Sequence, residues 1–404
     1  MKSRVLSHRR DKHRDAAFPN RENPDRKGFQ ELFERGNAAL LQKDYRATIE
    51  LLTEAVSLQA RNFDAWNNLG NAYEFSGNLE AAEECYKNAL SVEEKSSLSW
   101  YNLGNVYETQ GKIGEAINCY LKAIEIDRTL HEAWVNLGNA KNAAGEYLEA
   151  IETYKKAIEI KEDLLEAWFN CGNSYVSLHN FEQAVICYLR AASIHPHSHQ
   201  IWYNLGFSYS KLGALDAAID CYKKALEMDG EDRDVIYNLA FAYMESENYE
   251  EALGYFQKAL KVEAADAELW NNIGNCHYFM GKTREAIDCY RKALKLDSLN
   301  HGFWNNLGTA FEKTGEYQKA LDCFSRAIEL NFEKASYHLG RSITYLKIGE
   351  RKHALRDLEN AIMLDPDRKT IAPAIPKFIA LAEKEEDFKN ILARIKKMHG
   401  NDHS

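Results

Sequence analysis

The stretch Trp66-Asn67-Asn68-Leu69-Gly70-Asn71 decides the fold, because the chain returns to it every 34 residues. All seven tryptophans belong to the series: Trp66, Trp100, Trp134, Trp168, Trp202, Trp270 and Trp304. Ile236 fills the one place between Trp202 and Trp270 where the indole is missing. Four residues after each Trp stands Gly70, Gly104, Gly138, Gly172, Gly206, Gly274 or Gly308. Further on come an alanine, from Ala82 to Ala320, and an aromatic: Tyr86, Tyr120, Tyr154, Tyr188, Tyr222, Tyr290 or Phe324. A fixed period of this size marks a repeat array, in which each unit covers its neighbour's apolar face.

Extending the phase gives ten units without an insertion, starting at Phe29, Phe63, Ser97, His131, Leu165, His199, Arg233, Ala267, His301 and Ala335. Each unit reads as two antiparallel helices, A and B. In the second unit the spacing predicts helix A near 64–76, a turn at Gly77-Asn78 and helix B near 79–92. The Trp, Leu, Gly and Tyr of helix A share one helical face. Gly77, Gly111, Gly145, Gly213, Gly281 and Gly315 recur where a left-handed residue ends helix A at little cost. Burying a Trp removes roughly 150–250 Å² from water, worth about 4–6 kcal/mol as an upper bound. Packing alone therefore accounts for the tryptophan series.

The pattern W-x2-L-G-x2-Y, then A-x3-Y/F, then A, resembles the tetratricopeptide repeat (TPR) over residues 29–368. The resemblance implies an all-α, right-handed TPR α-solenoid superhelix whose A helices line a concave groove. Residues 1–28 then form a basic N-terminal tail, 29–368 the ten tandem repeats, and 369–404 C-terminal capping helices with a frayed end. In the tail nine Lys and Arg face four acids. With so little apolar content it is expected to be disordered. Val5-Leu6 is too short for the apolar core of a signal peptide. The outermost repeats are atypical, with Leu32 or His338 in the Trp place and Thr48 or Ser342 in the Ala place. Beyond Pro373 and Pro376, the residues Phe378, Leu381, Phe388, Leu392 and Ile395 read as a closing helical pair with a Lys-rich outer face.

Composition fits a soluble globular chain: 45% hydrophobic, 28% charged, net charge −10. Cys85, Cys119, Cys187, Cys221, Cys289 and Cys323 share one repeat position, while Cys171 and Cys276 lie on helix A. Equivalent points on neighbouring repeats stand about 8–10 Å apart or more, beyond the ~7 Å Cα separation of a disulfide. All eight read as reduced packing residues, which with the absence of an N-x-S/T sequon predicts a cytoplasmic location. His195-Pro196-His197-Ser198-His199 alternates histidines but lacks further ligands at tetrahedral spacing. Gly281-Lys282-Thr283 resembles the end of a phosphate loop, yet Cys276 occupies the place of its first glycine. No cofactor, metal or catalytic set is expected, and the chain reads as non-enzymatic.

What remains is a ladder of asparagines. Two residues after each Trp place stand Asn68, Asn102, Asn136, Asn170, Asn204, Asn238, Asn272 and Asn306. Three further on come Asn71, Asn105, Asn139, Asn173 and Asn275, interrupted by Phe207, Phe241 and Thr309. Asn gives up to about 0.7 kcal/mol less helix stability than Ala per site. Its amide offers donors and an acceptor to a bound backbone. Descent of all copies from one duplicated unit is the competing explanation of the recurrence, and a binding role is the favoured one. The ladder resembles that of the TPR superhelix of the O-linked N-acetylglucosamine transferases, which implies an extended peptide held by these amides. No catalytic domain is read after the repeats.

The TPR branch that clamps chaperone C-termini carries Lys and Arg on helix A. Here those places hold Asn67, Tyr101, Val135 and Phe169, and Asp64, Leu98, Glu132 and Glu166, so that ligand is not expected. The acids beside the ladder, Glu74, Glu108, Glu132, Glu166, Glu268 and Glu312 among them, outnumber Lys211 and Lys313. The expected function is a scaffold binding extended, Lys- or Arg-containing polypeptide, with no nucleic acid and no membrane insertion. A substrate-presenting subunit for a separate enzyme such as a glycosyltransferase and a self-associating structural scaffold (a homo-oligomer) stand as alternatives. The ladder is expected to be exposed, so that Asn→Ala changes leave the fold intact.

Overall fold

The computed structural model describes residues 24–262 and 265–365, and every regular element among them is an α-helix. The chain forms two compact units that divide after Leu212. The first holds α1 (Pro24–Leu41), α2 (Tyr45–Leu58), α3 (Phe63–Ser76), α4 (Leu79–Val92), α5 (Ser97–Thr109), α6 (Ile113–Ile126), α7 (His131–Ala143), α8 (Tyr147–Ile160), α9 (Leu165–Ser177), α10 (Phe181–Ile194) and α11 (His199–Lys211). The second holds α12 (Leu215–Met228), α13 (Arg233–Glu245), α14 (Tyr249–Val262), α15 (Ala267–Phe279), α16 (Thr283–Leu296), α17 (His301–Thr314), α18 (Tyr317–Leu330), α19 (Ala335–Lys347) and α20 (Arg351–Leu364). Odd-numbered helices are the A helices of the repeats and even-numbered ones the B helices.

Within each unit an A helix packs on its own B helix, as α7 does on α8 and α15 on α16, and each B helix packs on the next A helix. Neighbouring A helices also touch, α1 with α3, α3 with α5, α5 with α7 and α7 with α9. The expected all-α solenoid of tandem hairpins is thus present in both units. Helix α1 begins at Pro24, five residues ahead of the expected first repeat, so residues 24–28 are helical rather than part of a disordered tail. A proline opens a helix without sacrificing a bonded N–H. The rest of the proposed tail, residues 1–23, and the proposed capping pair within 369–404 lie outside the described residues.

The turn from A to B demands a left-handed residue in each repeat where its torsion is given. Gly77 and its equivalents supply it, with Gly77 at φ +84°. Lys43, His179 and Glu247 hold the same place in the first, fifth and seventh repeats at φ +60°, +55° and +62°. Asn, Ser or Asp side chains cap several A helices, Asn62 accepting from the Ala65 N–H, Ser96 from the Ser99 N–H and Asp232 from the Val235 N–H.

The helix B tyrosine, rather than the tryptophan, is the fully enclosed ring. Tyr86, Tyr120, Tyr154 and Tyr188 have at most 1% of their surface exposed. Each presses on the glycine of its own helix A: a Cβ added at Gly138 would meet Tyr154 Cε1 at 2.5 Å. The tryptophans are only half-buried, which lowers the burial expected of them. The cause is the indole N–H, which reaches the turn before its own helix A. Trp134 donates to Arg128 O at 3.0 Å and Trp168 to Glu162 O at 2.8 Å, six residues upstream in each case. In the tenth repeat His338 Nε2 makes the same bond to Phe332 O at 3.0 Å, so the imidazole stands in for the indole.

All eight cysteines are buried and unpaired. Burial pushes the thiols of Cys85, Cys119, Cys276 and Cys323 up to about 12. None of the described helices is long and apolar enough to cross a membrane.

Candidate peptide-binding site

The asparagine ladder is a row of struts between repeats. Asn136 Nδ2 donates to Asn105 Oδ1 at 2.8 Å, and Asn170 Nδ2 to Asn139 Oδ1 at 2.8 Å. Asn102 bonds Asn71 in the same way at 3.2 Å, and Asn204 bonds Asn173 at 3.2 Å. Each accepting oxygen takes a second bond from the helix B tyrosine of its own repeat. Tyr86 donates to Asn71 at 2.7 Å, Tyr120 to Asn105 at 3.0 Å, Tyr154 to Asn139 at 2.8 Å and Tyr188 to Asn173 at 2.6 Å. At the start of the row, Asn68 Nδ2 donates to Asn37 Oδ1 at 2.9 Å.

The expected exposure of the ladder is therefore corrected. Asn68, Asn71, Asn102 and Asn105 are buried, and Asn136, Asn139, Asn170, Asn173 and Asn204 are half-buried. Asn71 Nδ2 and Asn102 Oδ1 are enclosed without a hydrogen-bond partner. The physical reason is the close stacking of A helices, which encloses a polar row that must then satisfy itself.

The second unit repeats the arrangement in part. Asn306 Nδ2 donates to Asn271 Oδ1 at 2.9 Å and lies 3.4 Å from Asn275 Oδ1, which also accepts from Tyr290 at 2.9 Å. Asn272 Nδ2 reaches the Tyr237 hydroxyl at 3.3 Å. Asn238 instead donates to Asp234 O of its own helix at 2.8 Å.

Three A helices of the first unit, α5, α7 and α9, frame a cavity of about 430 Å³. Ladder residues Asn105, Asn136 and Asn139 line it together with Glu108, Glu132 and Glu166. Tyr101, Val135 and Leu164 supply its apolar surface, and His131 stands at the start of α7. No Lys or Arg is among the residues lining it. Asn136 spends its two amide hydrogens on Asn105 and on the Tyr101 hydroxyl at 3.3 Å, so its oxygen is the atom left to a ligand. Asn139 Nδ2 donates to Glu166 Oε1 at 3.0 Å, which aims that carboxylate. His131 Nδ1 lies 2.8 Å from Glu132 Oε2. The Tyr120 hydroxyl lies 2.7 Å from Glu108 Oε2. Burial raises the Glu108 carboxyl above its ordinary value, outweighing that bond, and the charge of Glu166 adds to the rise.

The acids of the second unit differ. Glu312 is paired with Lys347, and Lys313 stands 4.2 Å over the Tyr278 ring. Glu268 accepts from Asn300 at 3.3 Å, and its carboxyl is raised by burial. Tyr237 and Phe241 stack at 6.1 Å nearby on α13.

Sequence reading missed the tyrosine hydroxyls, Asn37, His131 and Asn67, whose Oδ1 accepts from Ser99 Oγ at 3.0 Å. The tyrosine signal was present only in part. Where Asn gives way to Phe241 or Thr309, the aromatic fifteen residues later is Phe256 or Phe324 and the hydroxyl goes with its acceptor, whereas Phe207 is followed by Tyr222, which keeps it.

Residues 94–269 match the family model of the cilia and flagella-associated protein 70 C-terminal domain. Residues 63–96, 267–298 and 303–333 match the tetratricopeptide repeat model. Among solved structures, the C-terminal part of a TPR repeat-containing protein from Cytophaga hutchinsonii is 14% identical, covering 60% of this chain and 99% of that one at a TM-score of 0.53. YrrB, described as a TPR protein with an unusual peptide-binding site, is 23% identical, covering 45% and 94% at a TM-score of 0.43. MamA is 25% identical, covering 43% and 96% at 0.41. The Cytophaga likeness speaks for the fold alone. No curated protein matches the chain.

Proposed function

The chain belongs to the tetratricopeptide repeat family, whose repeats build protein-interaction scaffolds, and we propose that the helix A face of its first unit binds extended polypeptide segments carrying Lys or Arg. The observation that carries this reading is the cavity between α5, α7 and α9, where Glu108, Glu132 and Glu166 converge with no Lys or Arg in the lining. A basic side chain complements the negative charge of this cluster, and the ladder's remaining amide atoms meet the peptide backbone. An extended segment suits a face made of parallel rows, since it spreads contacts over several repeats at modest affinity. The ladder itself serves chiefly to hold the A helices in register. Its role is preorganisation, with direct contact limited to the atoms the fold leaves over. The chain acts on this reading as a scaffold without chemistry of its own.

Fluorescence anisotropy with labelled Arg/Lys-rich and Glu/Asp-rich peptides of equal length tests it. The basic peptide should bind, with an affinity that falls as salt shortens the Debye length below about 10 Å. The combined change Glu108→Gln, Glu132→Gln and Glu166→Gln should weaken it at least about tenfold, three partly screened charges at a fraction of a kcal/mol or more each. Equal binding of the acidic peptide, or indifference to the three substitutions, overturns the proposal.

A further inference from the structure

We infer that the chain's own N-terminal segment, residues 1–23, occupies the acidic cavity of the first unit and competes there with basic clients. The inference rests on the reading of that cavity as a basic-peptide site and adds its regulation. Three observations carry it.

The first is charge. Residues 1–23 contain Lys2, Arg4, Arg9, Arg10, Lys12, Arg14 and Arg21 against Asp11, Asp15 and Glu22, a net +4. The cavity presents Glu108, Glu132 and Glu166 and no Lys or Arg. The basic residues are concentrated before Arg14, far enough from α1 to act at a distance from it.

The second is attachment. The segment precedes α1 directly in sequence, α1 and the cavity belong to the same compact unit, and α1, α3, α5 and α7 touch in succession along the A row. From α1 to α7 is three helix-packing steps, about 24–30 Å at ~8–10 Å each. The chain from Arg10 to Pro24, about 14 residues, spans up to about 46 Å when extended. The cluster Arg9-Arg10 therefore reaches the cavity without disturbing α1.

The third is chemistry. The cavity joins a tyrosine ring, amides and carboxylates, and the segment offers guanidinium groups, which bond carboxylates in pairs and stack on aromatic faces. Tethering turns a weak contact into a useful one. At an effective concentration of about 1 mM, an intrinsic Kd of ~100 μM fills the site to roughly nine-tenths and weakens an outside ligand about tenfold.

The test uses full-length protein in three forms: wild type; a tail variant with Arg4→Gln, Arg9→Gln, Arg10→Gln, Lys12→Gln and Arg14→Gln; and that variant with Glu108→Gln, Glu132→Gln and Glu166→Gln added. Two fluorescein-labelled probes are titrated, the synthetic peptide of residues 1–23 and an unrelated Arg/Lys peptide of equal charge. The inference predicts that the tail variant binds both probes about tenfold more tightly than wild type, and that the added carboxylate changes abolish the gain. If both probes depend on the carboxylates but wild type and tail variant bind them equally, the tail inference falls while the site stands. If neither probe depends on the carboxylates, the site reading falls and takes the inference with it. Tail-dependent dimers in light scattering would place the segment in a second copy and overturn the intramolecular form. Circular dichroism of all three forms establishes that the helices are intact.

Discussion

Asn136 Nδ2 donates to Asn105 Oδ1 at 2.8 Å, joining residues 31 apart on adjacent A helices. The same bond recurs down the first unit, so the ladder ties the stacking of repeats to buried polar geometry. Asn136→Ala should cost about 0.5–1.5 kcal/mol for the lost bond, reduced by up to about 0.7 kcal/mol of gained helix propensity. Asn105→Ala should cost more, about 1–3 kcal/mol, because the Asn136 amide loses its acceptor in an enclosed row, while the Tyr120 hydroxyl is left with Glu108 alone. Urea melts of the two single variants and the double variant measure the coupling. Strict additivity would show that the bond contributes nothing.

Gly138 and Gly114 are both helical glycines with opposite surroundings. A Cβ at Gly138 would sit 2.5 Å from the Tyr154 ring, whereas at Gly114 nothing lies within 4 Å. Gly138→Ala should therefore destabilise by about 1–3 kcal/mol through overpacking. Gly114→Ala should stabilise by up to about 1 kcal/mol through helix propensity. Equal effects in thermal melts would contradict the close approach of α7 and α8.

Lys43, His179 and Glu247 hold left-handed torsions where other repeats use glycine. A side chain there costs roughly 1–2 kcal/mol. Each change to glycine should raise stability by about 1 kcal/mol, and the three, lying in separate repeats, should add. A loss of stability in any of them would mean that the side chain contributes bonds outweighing its strain.

Much of this fold could be read from the sequence because its cause is periodic. The 34-residue return fixed the hairpins, the glycine at the turn and the aromatic of helix B. Repeats one, five and seven escaped the turn reading, since Lys43, His179 and Glu247 adopt a conformation that their residue types do not advertise. The ladder was legible as a row but misjudged in depth. Periodicity reveals which residues share a face, while burial depends on how closely neighbouring A helices stack, a distance between repeats that no single repeat spells out. The joint replacement by Phe241 with Phe256 and by Thr309 with Phe324 hints at the coupling of Asn139 to Tyr154, but Phe207 with Tyr222 breaks the pattern and obscures it. The cavity between α5, α7 and α9 joins three repeats and has no signature within any one of them.

Glu108 supplies a pH dependence with a definite sign. Burial raises its folded-state pKa, so the folded chain holds the proton more tightly than the unfolded one. The stability this contributes is present at low pH and is lost as the pH rises through the raised value. Glutamine imitates the protonated form. Glu108→Gln should melt above wild type near neutral pH, with the gap closing as the pH falls toward the ordinary carboxylate range. A gap that widens on acidification would contradict the burial of this carboxyl.

The central claim is that basic peptide lies on the helix A face of the first unit. Photo-crosslinking tests it most directly. A benzoylphenylalanine placed at position 101, in the cavity wall, is compared with one at position 121, where Leu121 is 45% exposed on α6. Irradiation with a labelled Arg/Lys-rich peptide, followed by mass spectrometry, should give an adduct from position 101 that disappears with Glu108→Gln, Glu132→Gln and Glu166→Gln, and none from position 121. An adduct at 121 of equal yield, or none at 101 under conditions where the peptide binds, would place the ligand elsewhere and contradict the account.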